Sequence, residues 1–121
     1  MHGLVFELDR RIRTAGLDLA AVLAQPGLAL DGLSAPRPGI TTPMPLERLL
    51  AGVAQGKNRG ATPVLRALLD PDARSGDYFG PARLLTGRPV RARAVASSAD
   101  PAFGRSLFAR FEAWTGIPFP L

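Results

Sequence analysis

The sequence predicts an α/β fold, mostly helical with two short strands, and three observations carry that expectation. Leu17-Asp18-Leu19-Ala20-Ala21-Val22-Leu23-Ala24 is an almost wholly apolar run of strand length, ended by Gln25-Pro26-Gly27. Asp77-Tyr78-Phe79 forms a second brief extended candidate before Gly80-Pro81, and apolar residues at helical spacing flank both runs. A run with a single charged residue suits a strand covered on both faces better than a half-solvated antiparallel one. In open α/β sheets, ligands meet the carboxyl ends of strands. A site is therefore expected near Gln25-Pro26-Gly27.

Taken in order, residues 4 to 15 read as a helix. Leu4, Leu8 and Ile12 recur every four positions with Val5 beside them, while Glu7, Asp9, Arg10, Arg11 and Arg13 occupy the other faces. Gly16 supplies its left-handed stop. After the strand and its Pro-Gly turn, Pro36, Pro38, Pro43 and Pro45 make residues 28 to 45 a long loop. Pro45 opens a short helix with Leu46, Leu49, Leu50 and Val53 on one face. Gln55-Gly56-Lys57-Asn58-Arg59-Gly60 breaks it; the segment lacks P-loop spacing and reads as an exposed turn. Thr62-Pro63 caps and opens the next helix, with Val64, Leu65, Leu68 and Leu69 as its buried side and Asp70-Pro71 as its end. Residues 72 to 76 are turn chemistry. Residues 82 to 99 read as an arginine-rich loop. Asp100-Pro101 then caps a final helix whose stripe is Phe103, Leu107, Phe111 and Trp114, with Phe108 alongside, and Gly116 ends it.

Bulk properties bound the function. A chain of 121 residues with 46% apolar and 21% charged residues is one ordinary globular domain by length and composition. Cysteine is absent, which excludes disulfides, thiolate metal sites and cysteine nucleophiles. No apolar run reaches the roughly 18 residues a membrane helix needs. Glu7 and Asp9 interrupt the opening apolar stretch, so it does not read as a signal peptide. A soluble, cytoplasmic protein without a membrane partner is the expectation. The net charge of +5 comes from fifteen basic residues, all arginine except Lys57, against ten acids. Their densest cluster is Arg88, Arg91 and Arg93. Without a basic stripe interleaved with stacking aromatics, the arginines read as solvated surface and nucleic acid is not an expected partner.

Catalytic constellations fail on inventory. The single histidine, His2, has no carboxylate cluster beside it, so no metal site is expected. No G-x-S-x-G elbow occurs. Asp70 and Asp72 bracket a proline and suit a helix-ending turn better than acid–base work. Tyr78 reads as a packed aromatic.

Several stretches nonetheless come in a familiar order. Phe6-Glu7-Leu8-Asp9-Arg10-Arg11-Ile12-Arg13-Thr14-Ala15-Gly16, Ala24-Gln25-Pro26-Gly27-Leu28-Ala29 and Asp70-Pro71-Asp72-Ala73-Arg74-Ser75-Gly76-Asp77-Tyr78-Phe79-Gly80-Pro81 together resemble the C-terminal half of short-chain dehydrogenases/reductases. The nearest branch is the retinol-dehydrogenase-like and protochlorophyllide-reductase-like one, and the likeness runs on to Trp114-Thr115-Gly116. The resemblance implies a truncated C-terminal part of a Rossmann-like doubly wound fold. Its last two strands would be Leu17–Ala24 and Asp77–Phe79. The chain then reads as a single partial domain: 1–27 helix plus strand, 28–58 proline-rich loop and short helix, 59–81 helix plus strand, 82–121 loop and C-terminal helix.

The same resemblance implies what the chain lacks. Met1 falls just after the position of the family's catalytic Lys, as though an upstream segment had been cut away. The Gly-rich phosphate turn, the ribose-reading residue and the catalytic Ser, Tyr and Lys have no counterparts, so no catalytic residue is assigned. In the family, a His-Pro-Gly turn followed by a Thr contacts the nicotinamide and pyrophosphate. Pro26 and Gly27 match and are the candidate cofactor-binding residues. Gln25 replaces the His, and the Thr position falls at Asp31, whose carboxylate would repel diphosphate oxygens. Residues 31 to about 58 also depart from the family, being proline-rich where a substrate-covering helix pair would sit. NAD or NADP is implied by the resemblance alone, and the isolated chain is expected to bind neither. The expectation is an oxidoreductase-like segment inactive by itself, partnered by a complementing N-terminal chain or by further copies of itself. The alternative is a stand-alone dimerising binding module that reuses the half-fold. An active enzyme whose nucleotide half comes from another chain ranks last.

Overall fold

A computed structural model describes residues 2–30, 33–34 and 49–121. It is a mixed α/β structure whose described residues fall into two compact units, one made of Met1–Leu23, Asp72–Asp77 and Arg93–Leu121, the other of Ala24–Pro71 and Tyr78–Ala92.

The first unit is helical. Helix α1 (His2–Thr14) packs against the final helix, and both end as the sequence predicts, on Gly16 and Gly116 at φ +66° and +69°. Small residues let the two axes approach. A β-carbon on Gly3 would lie 2.9 Å from the Phe103 ring, and one on Gly104 would lie 2.9 Å from Glu7 Cβ. The buried side of α1 is Gly3, Phe6, Glu7, Asp9 and Ile12, so two carboxylates expected on solvated faces are inside. Their charges are met locally. Arg10 and Arg11 reach Glu7 at 2.9 and 3.3 Å, and Arg13 reaches Asp9 at 2.6 Å. The Arg11 guanidinium also lies 4.2 Å from the centre of the Phe108 ring, at cation–π distance. These arginines are therefore structural rather than merely solvated.

The described residues form two small sheets, whose strands from Ala24 onward belong to the second unit. Strand β1 (Leu23–Ala24) leads through the turn to β2 (Ala29–Leu30), which pairs in parallel with β3 (Gln55–Gly56) in the register Ala29↔Gln55 and Leu30↔Gly56. A one-turn helix α2 (Lys57–Gly60) and helix α3 (Thr62–Leu69) follow. Strand β4 (Tyr78–Pro81) then pairs antiparallel with β5 (Pro89–Arg91), Gly80 opposite Val90, in a sheet ordered β1-β4-β5. Leu23 N donates to Asp77 O and Gln25 N to Phe79 O, both at 2.9 Å. The bonds climb both segments together, so β1 and β4 run parallel. Phe79 on β4 is fully buried, with the guanidinium carbons of Arg66 and Arg91 5.6 and 5.8 Å from its ring centre.

The remaining elements are α4 (Ala96–Ala99) and α5 (Pro101–Thr115), both in the first unit. Asp100 caps α5 by accepting from Ala102 N at 2.9 Å, as its sequence predicts.

Several expectations are corrected. The predicted strand over residues 17–24 is confined to Leu23–Ala24. Leu19 is 61% exposed and Leu17 is also open, so the run is not covered on both faces. Among the described residues, five short strands stand where two were expected. Three of them, Ala29–Leu30, Gln55–Gly56 and Pro89–Arg91, are two or three residues long and carry no readable periodicity. The expected loop over 82–99 thus contains β5 and α4. Of the helix predicted from Pro45, residues 45 to 48 lie outside the described residues; Leu49 is α-helical and a 3₁₀ turn, Leu50–Gly52, follows it, with Leu49 and Val53 exposed. On α3 the predicted buried side is the exposed one. Val64, Leu65, Leu68 and Leu69 face outward, while Pro63 is buried. Arg66 sets that rotation: it donates to Pro89 O at 2.7 Å and to Asp70 at 2.9 Å. On α5 only Phe108 of the aromatic stripe is buried, and Trp114 is 84% exposed.

Candidate functional site

The Gln25-Pro26-Gly27 turn stands at the carboxyl end of β1, where sequence reasoning places the site. Gly27 adopts φ +72°, and a β-carbon there would lie 2.3 Å from the carbonyl oxygen of Leu85. Only glycine permits both the left-handed backbone and that approach. Leu28 N donates to the same Leu85 oxygen at 2.8 Å, which holds the turn against the β4–β5 loop. Gly60 fits closely under the turn as well: a β-carbon on it would lie 2.8 Å from Ala29 Cβ and 3.5 Å from Pro26 Cβ.

Side chains complete the frame. Gln55, only 5% exposed, donates from Nε2 to Pro26 O at 2.8 Å and accepts from Gly87 N at 3.3 Å through Oε1. Tyr78 donates its phenolic proton to Gln25 Oε1 at 2.5 Å. Gln25, which stands where the resembled family has a His, is thus engaged by a hydroxyl rather than projecting alone. Pro26 is exposed and Gly27 half-buried. Asp31, the remaining residue compared with the family's turn, lies outside the described residues.

Sequence reasoning missed the partners of the turn. Gln55 sits in a segment expected to be an exposed turn, yet it is buried and central, and Gly60 is buried too. Tyr78 is more than a packed aromatic. Only the identity of Gln55 offered a signal, since an amide can donate and accept at once.

Two clefts adjoin this frame. One, about 420 Å³, is lined by Gln55, Arg59, Thr62, Arg83, Thr86 and Arg88 among others; a second, about 400 Å³, shares Ala54, Gln55 and Arg59 with it. The carboxylates weighed in the sequence sit elsewhere. Asp70 pairs with Arg66, and Asp72 lies in an exposed turn. Among the described residues, His, Asp and Glu side chains nowhere gather in groups of three or more that would hold a metal. No helix of the described residues is long and apolar enough to cross a membrane.

Compared with protein-family models and with curated proteins, the chain finds no match. Among solved structures it is similar to an uncharacterised protein from Mycobacterium paratuberculosis, with 26% identity and a TM-score of 0.63 over 98% of this chain and 37% of that one. The chain thus spans a little over a third of that protein's length.

Proposed function

We propose that the chain is the substrate-side, C-terminal segment of a short-chain dehydrogenase/reductase-like, NAD(P)-dependent oxidoreductase with a Rossmann-like fold. It is a cytoplasmic chain that carries out no hydride transfer alone. The observation that supports this reading most is the turn. A parallel strand ends in Pro26-Gly27, the glycine is left-handed, and the backbone there is held by Gln55, Leu85 and Tyr78. A fixed backbone at a strand's carboxyl end is what a dinucleotide fold uses to approach its cofactor. The match along part of a longer solved chain is in keeping with it. Proton transfer and cofactor capture need several groups held together, and the groups that resemblance calls for have no counterparts in this sequence.

The test is turnover. The purified chain, given NADH or NADPH with a panel of aldehydes and ketones, is expected to oxidise no cofactor. It is expected to associate with a separately produced chain carrying the Gly-rich turn and Tyr-x-x-x-Lys, through the side of β1 that has no partner among the described residues. Carbonyl reduction by the chain alone overturns the proposal.

A second reading, a dimerising binding module, is favoured by the outward-facing Val64, Leu65, Leu68 and Leu69 of α3. Contiguous exposed apolar side chains are the material of interaction surfaces. Light scattering decides it: a concentration-independent monomer removes this reading.

A further inference from the structure

The cleft of about 420 Å³ between the β4–β5 loop and the start of α3 gathers charged side chains of one sign. Arg59, Arg83 and Arg88 line it together with Thr62, Thr86 and Gln55, and among the described residues no carboxylate does. Among the described residues, Arg10 and Arg11 are matched with Glu7, Arg13 with Asp9 and Arg66 with Asp70, whereas Arg105 and Arg110 on α5 are in no ion pair, like the cleft arginines, but do not share a cleft with one another. Among the described residues, none of the three cleft arginines has an ion pair or a side-chain hydrogen bond. Three uncompensated like charges around one concavity repel each other, and an anion entering it removes that repulsion.

The wall is also built rather than loose. Ala82 N donates to Arg88 O at 2.9 Å and Arg83 N to Thr86 O at 3.0 Å, folding the loop back on itself. Gln55 ties Gly87 to the Pro26 turn from inside. The arginines at 83 and 88 therefore project from a backbone whose course is set by hydrogen bonds. Guanidinium groups present forked donors that match phosphate oxygens two at a time.

We infer that this cleft binds a small phosphate-type polyanion, gripped by Arg59, Arg83 and Arg88. Its volume lies in the range of small-ligand sites. Its lining contains no aromatic ring on which a base would stack, which disfavours single-stranded nucleic acid as the occupant. The inference goes beyond the oxidoreductase proposal and does not rest on it. Turnover decides that proposal, whereas anion binding without any nicotinamide decides this one.

The test is calorimetric titration of the full chain with inorganic pyrophosphate in a phosphate-free, low-salt buffer. The expected result is saturable one-to-one binding that weakens as salt rises. The double variant Arg83→Gln with Arg88→Gln is expected to lose about tenfold or more in affinity, as removal of charge-assisted hydrogen bonds does. Arg105→Gln with Arg110→Gln removes the same charge from α5 and is expected to leave the affinity nearly unchanged. Amide shifts of the unmodified chain provide a readout independent of any variant's folding. Pyrophosphate should move signals around residues 59 and 83–88 and leave α5 still. No saturable binding, equal losses in the two double variants, shifts spread over the whole chain, or a short oligonucleotide that outcompetes pyrophosphate would each overturn the inference.

Discussion

Gln55 donates to the carbonyl of Pro26 at 2.8 Å from 29 positions further along the chain, and the same amide accepts from Gly87 N. One buried side chain thus ties together two exposed loop positions, Pro26 and Gly87. Gln55→Leu keeps the volume but leaves the Pro26 oxygen and the Gly87 amide without partners. Pro26 and Gly87 are exposed residues, so the loss is that of the hydrogen bonds themselves, about 0.5–1.5 kcal/mol each. The variant should lower the denaturant midpoint and speed exchange of the Gly87 amide in particular. An unchanged midpoint would mean that water replaces the amide freely.

Gly27 and Gly16 separate two effects that glycine usually mixes. Both have positive φ, +72° and +66°, but nothing lies within 4 Å of a β-carbon built on Gly16, whereas Gly27 faces the Leu85 oxygen. Gly16→Ala should cost about 1–2 kcal/mol, the left-handed penalty alone. Gly27→Ala should cost about 1–3 kcal/mol more, because the β4–β5 loop must move away from the turn. Equal losses in thermal unfolding would show that the loop yields without strain.

How much of this was legible follows from which interactions are local. The C-terminal ends of α1 and α3 and both ends of α5 are set by neighbours in sequence (Gly16, Asp70-Pro71, Asp100-Pro101 and Gly116) and are legible there. Thr62, by contrast, is not the cap of α3: Ala61 precedes the helix without a side-chain cap, and the Thr62 hydroxyl donates to Arg59 O. The Pro26-Gly27 turn was legible for the same reason. The inward faces were not. Apolar spacing marks the Leu65 side of α3 as buried, but a hydrogen bond from Arg66 to Pro89, 23 residues on, decides the rotation. Likewise nothing near Gln55 in sequence announces Pro26 or Gly87. The arginine cleft brings together residues 59, 83 and 88, while sequence clustering pointed to Arg88, Arg91 and Arg93. Of those, Arg91 lies near the Phe79 ring.

Arg66 should behave as a core residue despite its charge. It bonds Pro89 O and Asp70, and its guanidinium lies near the Phe79 ring. Arg66→Met preserves the stem but removes every donor, and should destabilise the chain by about 1.5–3 kcal/mol, the range for hydrogen bonds from charged groups. Arg66→Lys restores the charge without the planar fork, so it should recover only part of the loss. Full recovery by lysine in urea unfolding would reduce the role of Arg66 to charge alone.

The outward face of α3 offers the sharpest contrast between sequence and structure. If Leu65 and Leu68 were core residues, replacing either with glutamate would bury a charge and unfold the domain. They are 52% and 76% exposed, so Leu65→Glu with Leu68→Glu should change the stability of the dilute chain by no more than about 1 kcal/mol in all, since surface substitutions usually fall within about 0.5 kcal/mol each. Glutamate also has good helix propensity, so α3 itself should persist in circular dichroism. Any effect should appear with concentration instead. If this face joins two copies, the wild type gains stability as concentration rises and the double variant does not. Collapse of the dilute variant would mean that α3 turns its leucines inward and that the bond from Arg66 to Pro89 does not set its rotation.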